Sequence, residues 1–382
     1  MIQLASKKDC CGCSACIQRC PKNCISLVAD EEGFLYPKTD NSICVNCGIC
    51  ASVCPTLNVS KGYVPMKAYA AFSEDEEILN RSSSGGIFSM IANLVICNGG
   101  IVFGASYDKD WQVYHTYITK KDELPLLCGS KYLQSRIEHT YKEAEFFLRS
   151  GKFVMFTGTP CQVAGLKKYL KVEYSNLLTV DFLCHGVPSP GVWSMYIRQL
   201  QKSFGKIESV FFRDKCDGWR KFMLKIKFAN NKSLQEHFFQ NSYMKLFLNN
   251  VILRPSCYNC KFKQGSSFSD ITIADFWDID KYETFVNEYK GISLVLVNSG
   301  IGDQFFSKVS GYKKKYNPID IVMENDSWKN SSKCHEMRRY FFYHYEKIND
   351  FNNITEYMFK PPFTIRLIRK FLRMLGVVQM PI

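Results

Sequence analysis

Apolar positions fall into a mixed α/β pattern of helix-length and strand-length runs beyond about residue 65, and the order of those runs predicts the architecture there. Residues 87–97 make an apolar run long enough for a helix, and Ile101-Val102-Phe103-Gly104-Ala105 follows after paired glycines as a strand. Further along, 153–156 reads as an apolar strand, Thr157-Gly158-Thr159-Pro160 as a turn, 161–170 as a helix and 177–183 as a second strand. Strand, helix and strand in that order form a βαβ unit, whose crossover makes the two strands parallel. Cys161 and Cys184 then lie just past the carboxyl ends of two strands of one sheet, where open α/β sheets bind ligands. The predicted fold class is α/β at the centre of the chain and α+β overall.

The first 64 residues are organised by cysteine spacing instead. Cys10, Cys13, Cys16 and Cys20, followed by Pro21, fit C-x2-C-x2-C-x3-C-P, and Cys44, Cys47, Cys50 and Cys54, followed by Pro55, repeat it 34 residues later. Three thiolates at spacings of three sit on one tight loop and can face three corners of an iron–sulfur cubane, while the fourth reaches the other cluster. Two 4Fe-4S clusters are therefore expected, one on Cys10, Cys13, Cys16 and Cys54 and one on Cys44, Cys47, Cys50 and Cys20. Zinc knuckles would need two C-x2-C pairs per ion rather than runs of four that end in Cys-Pro. Cys11 and Cys24 read as spare small hydrophobes, and Cys97, Cys128, Cys216 and Cys334 as buried or free thiols.

Composition narrows the rest. Eighteen cysteines in a small secreted domain would mean a disulfide scaffold, but a chain of 382 residues with 46% hydrophobic positions is neither small nor short of core, so metal ligation explains them better. The opening Met-Ile-Gln-Leu-Ala-Ser-Lys-Lys has no apolar core of a signal peptide, and 87–107 is broken by Asn93, Asn98 and glycines, so a cytoplasmic protein without a membrane span is expected. The formal charge of +13 points to an acidic partner or surface. Clusters held by four thiolates carry negative charge, however, and the absence of a recognisable binding motif argues against nucleic acid.

Lys61-Gly62-Tyr63-Val64-Pro65 marks a boundary, giving an iron–sulfur domain over 1–64, an α/β domain over 65–312 and a basic helical extension over 313–382. In the second domain, the loop Ser82-Ser83-Ser84-Gly85-Gly86 opens a helix, a place where free N–H groups can meet an anion or where the chain simply caps itself. No G-x-G-x-x-G follows a strand and no P-loop is present, so a flavin here would not be held by a dinucleotide fingerprint.

A third cluster is expected on Cys161, Cys184, Cys257 and Cys260. The first two stand at neighbouring strand ends about 4.8 Å apart, and Cys257-x2-Cys260 adds a chelating pair from a loop opened by Arg254-Pro255. Cys161 also starts a helix, whose dipole favours a thiolate. The same four sulfurs would suit zinc, and four unrelated thiols is the third reading.

In order along residues 1–300 the chain resembles the beta subunits of coenzyme F420 hydrogenases and dehydrogenases. The matching blocks are Ser-Ser-Gly-Gly at 83–86, Gly-Ser-Lys-Tyr at 129–132, Thr-Gly-Thr-Pro-Cys-Gln at 157–162, Cys-His-Gly-Val-Pro-Ser-Pro at 184–190, Arg-Asp-Lys at 213–215 with Gly218-Trp219, Arg-Pro-Ser-Cys-Tyr-Asn-Cys at 254–260, Asp270 to Trp277, and Lys290-Gly291-Ile292-Ser293. The resemblance implies FAD beside the sheet, with a deazaflavin exchanging hydride. It places Ser83, Ser84, Gly85, Gly86, Lys131, Thr157, Gly158, Thr159, Pro160, Gln162, Arg213 and Lys215 around the flavin, and makes Lys131 a flavin-phosphate ligand instead of an ordinary loop lysine. His185, between a cysteine and a glycine at a strand end, is a candidate for contact with cofactor or substrate. Arg213 and Lys215 read either as solvated turn charges or as a cluster for a polyanionic coenzyme, and Asp275 and Trp277 as residues that close the core.

Residues 313–382 hold 13 Lys and Arg against 7 Asp and Glu. Arg366, Arg369, Lys370 and Arg373 share one helical face, opposite Ile368, Phe371, Leu372 and Leu375, which predicts either a packed terminal helix or a contact with a peripheral membrane surface or an acidic protein. The function expected of the whole is an iron–sulfur flavoprotein oxidoreductase between a small-molecule hydride carrier and a redox partner protein or subunit. The alternative is a non-catalytic electron-transfer subunit of a larger redox complex.

Overall fold

The computed structural model describes residues 5–283, 290–348, 350–359, 363–364, 367–368 and 371. Its cysteine-rich segment shows the sequence duplication in the backbone. Ser14 and Gly48 take the same left-handed conformation, φ 61° and 74°, ahead of the short helices Ala15–Gln18 and Ile49–Ser52. Between the two motifs, β1 (Ile25–Ala29) pairs antiparallel with β2 (Leu35–Thr39).

The remaining strands are β3 (Lys67–Phe72), β4 (Ile101–Tyr107), β5 (Val113–Ile118), β6 (Val154–Thr157), β7 (Leu177–Phe182), β8 (Ile207–Asp214), β9 (Met223–Phe228), β10 (Ser233–His237), β11 (Ile271–Asp275), β12 (Ser293–Val297) and β13 (Tyr312–Tyr316). Eight of them form one sheet in the order β13-β3-β12-β11-β7-β6-β4-β5. β6 and β7 are parallel neighbours joined by the helix Pro160–Leu170, the crossover that the sequence predicts. β4, β6, β7 and β11 run parallel to each other, β12 runs against β11, and β3 runs against β12, so β3 shares the direction of the parallel set.

Alternation along the strands divides the apolar side chains between two faces. Val154 and Phe156, with Ile101 and Phe103, pack under the helices Thr140–Arg149 and Pro160–Leu170, whereas Met155 and Val102 pack under the helix Ile87–Cys97. Cys11, Cys13, Ala15 and Val53 join the first of these cores, so the cysteine-rich segment is packed onto the sheet. A third core fills a lobe made of β8 to β10 and the helices Pro190–Phe204, Ser242–Leu248 and Phe351–Phe359.

β13 differs from expectation: Tyr312–Tyr316 pairs with β3 at the edge of the main sheet, so the basic extension drawn from residue 313 begins inside a strand. Lys313, Lys314 and Lys315 obscure its β character because an edge strand tolerates charge, and lysines there discourage pairing with another chain. The basic face expected of Arg366, Arg369, Lys370 and Arg373 lies outside the described residues, as do Leu372 and Leu375. No helix among the described residues is long and apolar enough to cross a membrane.

Candidate functional site

The two cysteine runs are interleaved in space. Cys16 lies within electrostatic reach of Cys10 and Cys54, and Cys13 of Cys16 and Cys54. Cys20 lines a separate cavity with Cys44, Cys47 and Cys50. The last cysteine of each run thus stands with the first three of the other. Burial pushes the Cys16 thiol up to about 12, so an iron–sulfur core that takes it as a thiolate must displace its proton. Cys50, within reach of both Cys16 and Cys20, stands between the two sets. Cys47 is exposed, and Ile43 and Val45 near it are also exposed, at 49% and 57%.

Cys161, Cys184, Cys257 and Cys260 line one cavity at the carboxyl ends of β6 and β7, with about 780 Å³ of open space including its mouth. Every pair among these four thiols interacts electrostatically. Thr157 and Val180 are register partners on β6 and β7, so Cys161 and Cys184 each stand four residues beyond one level of the sheet. Pro255–Asn259 is a short 3-10 helix that turns Cys257 inward, where its sulfur accepts from the Val187 N–H at 3.5 Å. The Cys260 N–H is held by Ser331 Oγ at 2.8 Å, and Lys263 Nζ donates to the Cys184 carbonyl at 2.8 Å. Among the described residues no group of three or more His, Cys, Asp or Glu is gathered closely enough to hold a single metal ion.

Cys161 departs from its expected character. It occupies the first turn of Pro160–Leu170, yet its thiol is pushed well above the ordinary value, first by a hydrogen bond with Cys11 and then by burial. Cys11, read from sequence as a spare, is also buried and hydrogen-bonded with Cys13. It therefore links the first cysteine set to the strand-end cavity.

The expected flavin residues converge on the same edge of the sheet, and much of their hydrogen-bonding capacity is used within the protein. Ser83 Oγ accepts from the Ser130 N–H at 2.7 Å, joining the Ser-Ser-Gly-Gly loop to the Gly-Ser-Lys-Tyr loop. Ser84 Oγ donates to the Ile292 carbonyl, and the Gly85 N–H donates to Ser293 Oγ, both at 3.0 Å; Gly86 caps the next helix with φ 84°. Arg213 is buried, pairs through two nitrogens with Asp275 at 2.8 and 3.1 Å, and donates to the Ser83 carbonyl at 3.1 Å. Lys215 donates to the carbonyls of Leu79, Ser84 and Lys290, and burial lowers its amine to about 8. Both cations are engaged within the protein rather than solvated, and they hold the serine–glycine loop from behind. Asp275 also accepts from Trp219 Nε1 at 2.7 Å, and Trp219 stacks on Trp277 with centroids 4.6 Å apart.

Lys131 is half-buried, curls onto the carbonyl of Cys128 at 3.0 Å and lies 5.6 Å from the centre of the Tyr107 ring; burial lowers its amine to about 8. Thr157 Oγ1 donates to the Phe103 carbonyl at 2.8 Å. The Thr157 carbonyl accepts from His115 Nε2, 2.9 Å away, which fixes the ring tautomer and leaves Nδ1 to accept from Ser135 Oγ at 2.6 Å. Gly158 leads into Thr159 and Pro160, where a capping box ties the Thr159 N–H to Gln162 Oε1 at 2.9 Å. His185 lines the strand-end cavity with its Nε2 buried and without a partner, and burial keeps the ring neutral-leaning. The sequence reading did not single out His115, Gln134 or Arg254 by role; only Arg254 carried a signal, as the residue opening the Cys257-x2-Cys260 loop.

Three family models match. Residues 9–58 match the 4Fe-4S dicluster domain, residues 68–140 the N-terminal part of the coenzyme F420 hydrogenase/dehydrogenase beta subunit, and residues 151–317 its C-terminal part. A coenzyme F420-dependent sulfite reductase of Methanocaldococcus jannaschii is 27% identical over 189 residues, 47% of this chain and 28% of that protein, so the chain spans under a third of that relative. An uncharacterized ferredoxin of the same organism is 38% identical over 53 residues, 14% of this chain and 68% of the ferredoxin. Among solved structures, a chain of the F420-reducing nickel–iron hydrogenase complex from Methanosarcina barkeri aligns with a TM-score of 0.47 and 17% identity, over 75% of this chain and 90% of that one.

Proposed function

Because the chain belongs to the coenzyme F420 hydrogenase/dehydrogenase beta-subunit family and carries a 4Fe-4S dicluster domain, we propose that it is an iron–sulfur flavoprotein oxidoreductase moving electrons between a hydride carrier and 4Fe-4S clusters by way of FAD. The carrier we propose is the deazaflavin coenzyme F420 or a chemical equivalent, which the coenzyme dependence of the matched sulfite reductase supports. Bound FAD would supply the conversion between a two-electron hydride and the single electrons that clusters carry.

The observation that carries this reading is the meeting of Cys11 with Cys161. It sets the thiols of the dicluster domain against a second thiol set at the sheet edge where the family's flavin blocks converge. Cys161, Cys184, Cys257 and Cys260 would hold a third cluster there, and Cys10, Cys13, Cys16 and Cys54 the next. Cys20, Cys44, Cys47 and Cys50 would hold the last, whose exposed Cys47 faces a redox partner protein or subunit. Arg213 and Lys215 position the Ser83–Gly86 loop for the flavin, and Lys131 stands beside it as the cation for a flavin phosphate. His185, whose burial favours the uncharged ring and whose buried Nε2 has no hydrogen-bond partner, is one polar group that would meet a ligand at the cavity.

The test is anaerobic purification of the whole chain, assay of released FAD and iron, and optical titration with reduced coenzyme F420 and with reduced nicotinamide. Bleaching of flavin and cluster absorbance together supports the reading. Brown protein that holds iron, releases no flavin and ignores both carriers would establish the non-catalytic electron-transfer subunit instead.

A further inference from the structure

Arg254 is fully buried, yet none of its hydrogen-bond partners is a carboxylate. Its Nε donates to the Cys10 carbonyl at 2.7 Å, one terminal nitrogen to Gln134 Oε1 at 2.8 Å, and the other to the Leu35 carbonyl at 3.0 Å and toward Cys10 Sγ at 3.7 Å. Gln134 Nε2 in turn donates to the Cys11 carbonyl at 3.0 Å, and the guanidinium lies over the Tyr36 ring, 4.1 Å from its centre. Burying a cation among neutral partners is costly, so a fold that does it calls for negative charge nearby in the functional state. Among the described residues around Arg254, the groups that become anionic on metal binding are thiols. Cys10 Sγ is on one side, and Cys161 and Cys257 feel its charge on the other. Backbone geometry fixes this placement, because Arg254 caps the 3-10 helix that carries Cys257 and its own N–H bonds the Val187 carbonyl.

We infer that Arg254 is the shared counter-ion of the first dicluster site and the strand-end site, a positioning residue whose fixed charge raises the reduction potential of both clusters together. Reduction adds one electron to an assembly that is already anionic, and a cation held in a low-dielectric interior stabilises that added charge most. A guanidinium stays charged across the working pH range of proteins, so this charge is constant. A single charge that lies against Cys10 and within electrostatic reach of Cys161 and Cys257 shifts the two potentials in the same direction. The inference rests on the proposal that both cysteine sets hold 4Fe-4S clusters.

The experiment is a redox titration of the whole chain, anaerobically reconstituted, with iron content and the spin count of the fully reduced protein measured first. Arg254→Gln removes the charge, Arg254→Lys keeps it without the fork, and Gln134→Glu sets a carboxylate against the guanidinium while leaving Arg254 in place. With full iron, Arg254→Gln and Gln134→Glu are each expected to shift two of the three midpoint potentials downward and leave the third, that of the cluster on Cys20, Cys44, Cys47 and Cys50, as internal reference. Arg254→Lys should stay near the wild-type values. Should Arg254→Gln fail to fold, Gln134→Glu still decides the matter. Unmoved potentials in iron-replete Gln134→Glu, or a lysine variant as shifted as the glutamine variant, would overturn the inference and leave Arg254 a structural clamp. A wild-type chain that binds no iron at one of the two sites would instead remove the functional reading beneath it.

Discussion

Gly165 has no space for a side chain because the helix Pro160–Leu170 rests directly on Cys13: a Cβ at Gly165 would lie 2.9 Å from the Cys13 Cβ and 3.1 Å from its sulfur. The Tyr141 hydroxyl would be closer still, at 2.7 Å. The helix that carries Cys161 therefore sets the position of Cys13 in the dicluster domain. Gly165→Ala is expected to displace Cys13 and lower iron occupancy at the first site while the second keeps its iron. Iron analysis with the reduced-state resonance spectrum measures it, and full occupancy at both sites would show that the helix can give way.

Exchange of the fourth cysteines between runs predicts crossed losses. Cys54→Ser should abolish the cluster on Cys10, Cys13 and Cys16, and Cys20→Ser the one on Cys44, Cys47 and Cys50. Loss of the nearer cluster in either variant would mean that each run closes on itself.

Ligand loss at the strand-end cavity should cost about four irons per chain in a Cys257→Ser, Cys260→Ser double variant, by the stoichiometry of one cubane. The whole chain is the right material, because cutting away the dicluster domain would strip the buried Arg254 of its Cys10 and Leu35 acceptors. Unchanged iron content would leave those four cysteines as unligated thiols.

Two buried groups give opposing pH slopes to stability. Burial raises the Asp181 carboxyl to about 6 despite hydrogen bonds from Ser267 and Thr272, so its contribution is complete below the ordinary carboxylate range and is lost as pH climbs through about 6. Burial lowers His115 to about 4, so its contribution is complete above about 6.5 and is lost as pH falls toward 4. The two offset each other between roughly pH 4 and 6. Asp181→Asn should expose the His115 slope, making stability rise with pH over that window by up to about 3 kcal/mol, read from urea midpoints at several pH values. A flat profile in the variant would refute this assignment.

Lys215→Met removes the amine that three carbonyls share and leaves those of Leu79, Ser84 and Lys290 unsatisfied. The expected cost is about 2–4 kcal/mol, with the serine–glycine loop loosened and FAD retention reduced more than iron content. Equal loss of iron and flavin would point to global unfolding, and unchanged flavin retention would mean that the loop does not hold it.

Sequence alone determined the local features: the duplicated C-x2-C-x2-C-x3-C-P runs, the helix over 87–97, the βαβ unit, and the placement of Cys161 and Cys184 past its strand ends. These follow from spacing and periodicity over a few residues, which short-range backbone geometry enforces. Tertiary structure decided what lies between distant segments. Cys11 ceases to be a spare thiol only when Cys161, 150 positions later, is brought against it. Arg213 and Lys215 become supports of a loop only because β8 and the residue after it deliver them behind Ser83 and Ser84. The lysine-rich β13 is a strand because the open edge of β3 supplies its hydrogen bonds, a partner more than 230 residues away that no local pattern announces.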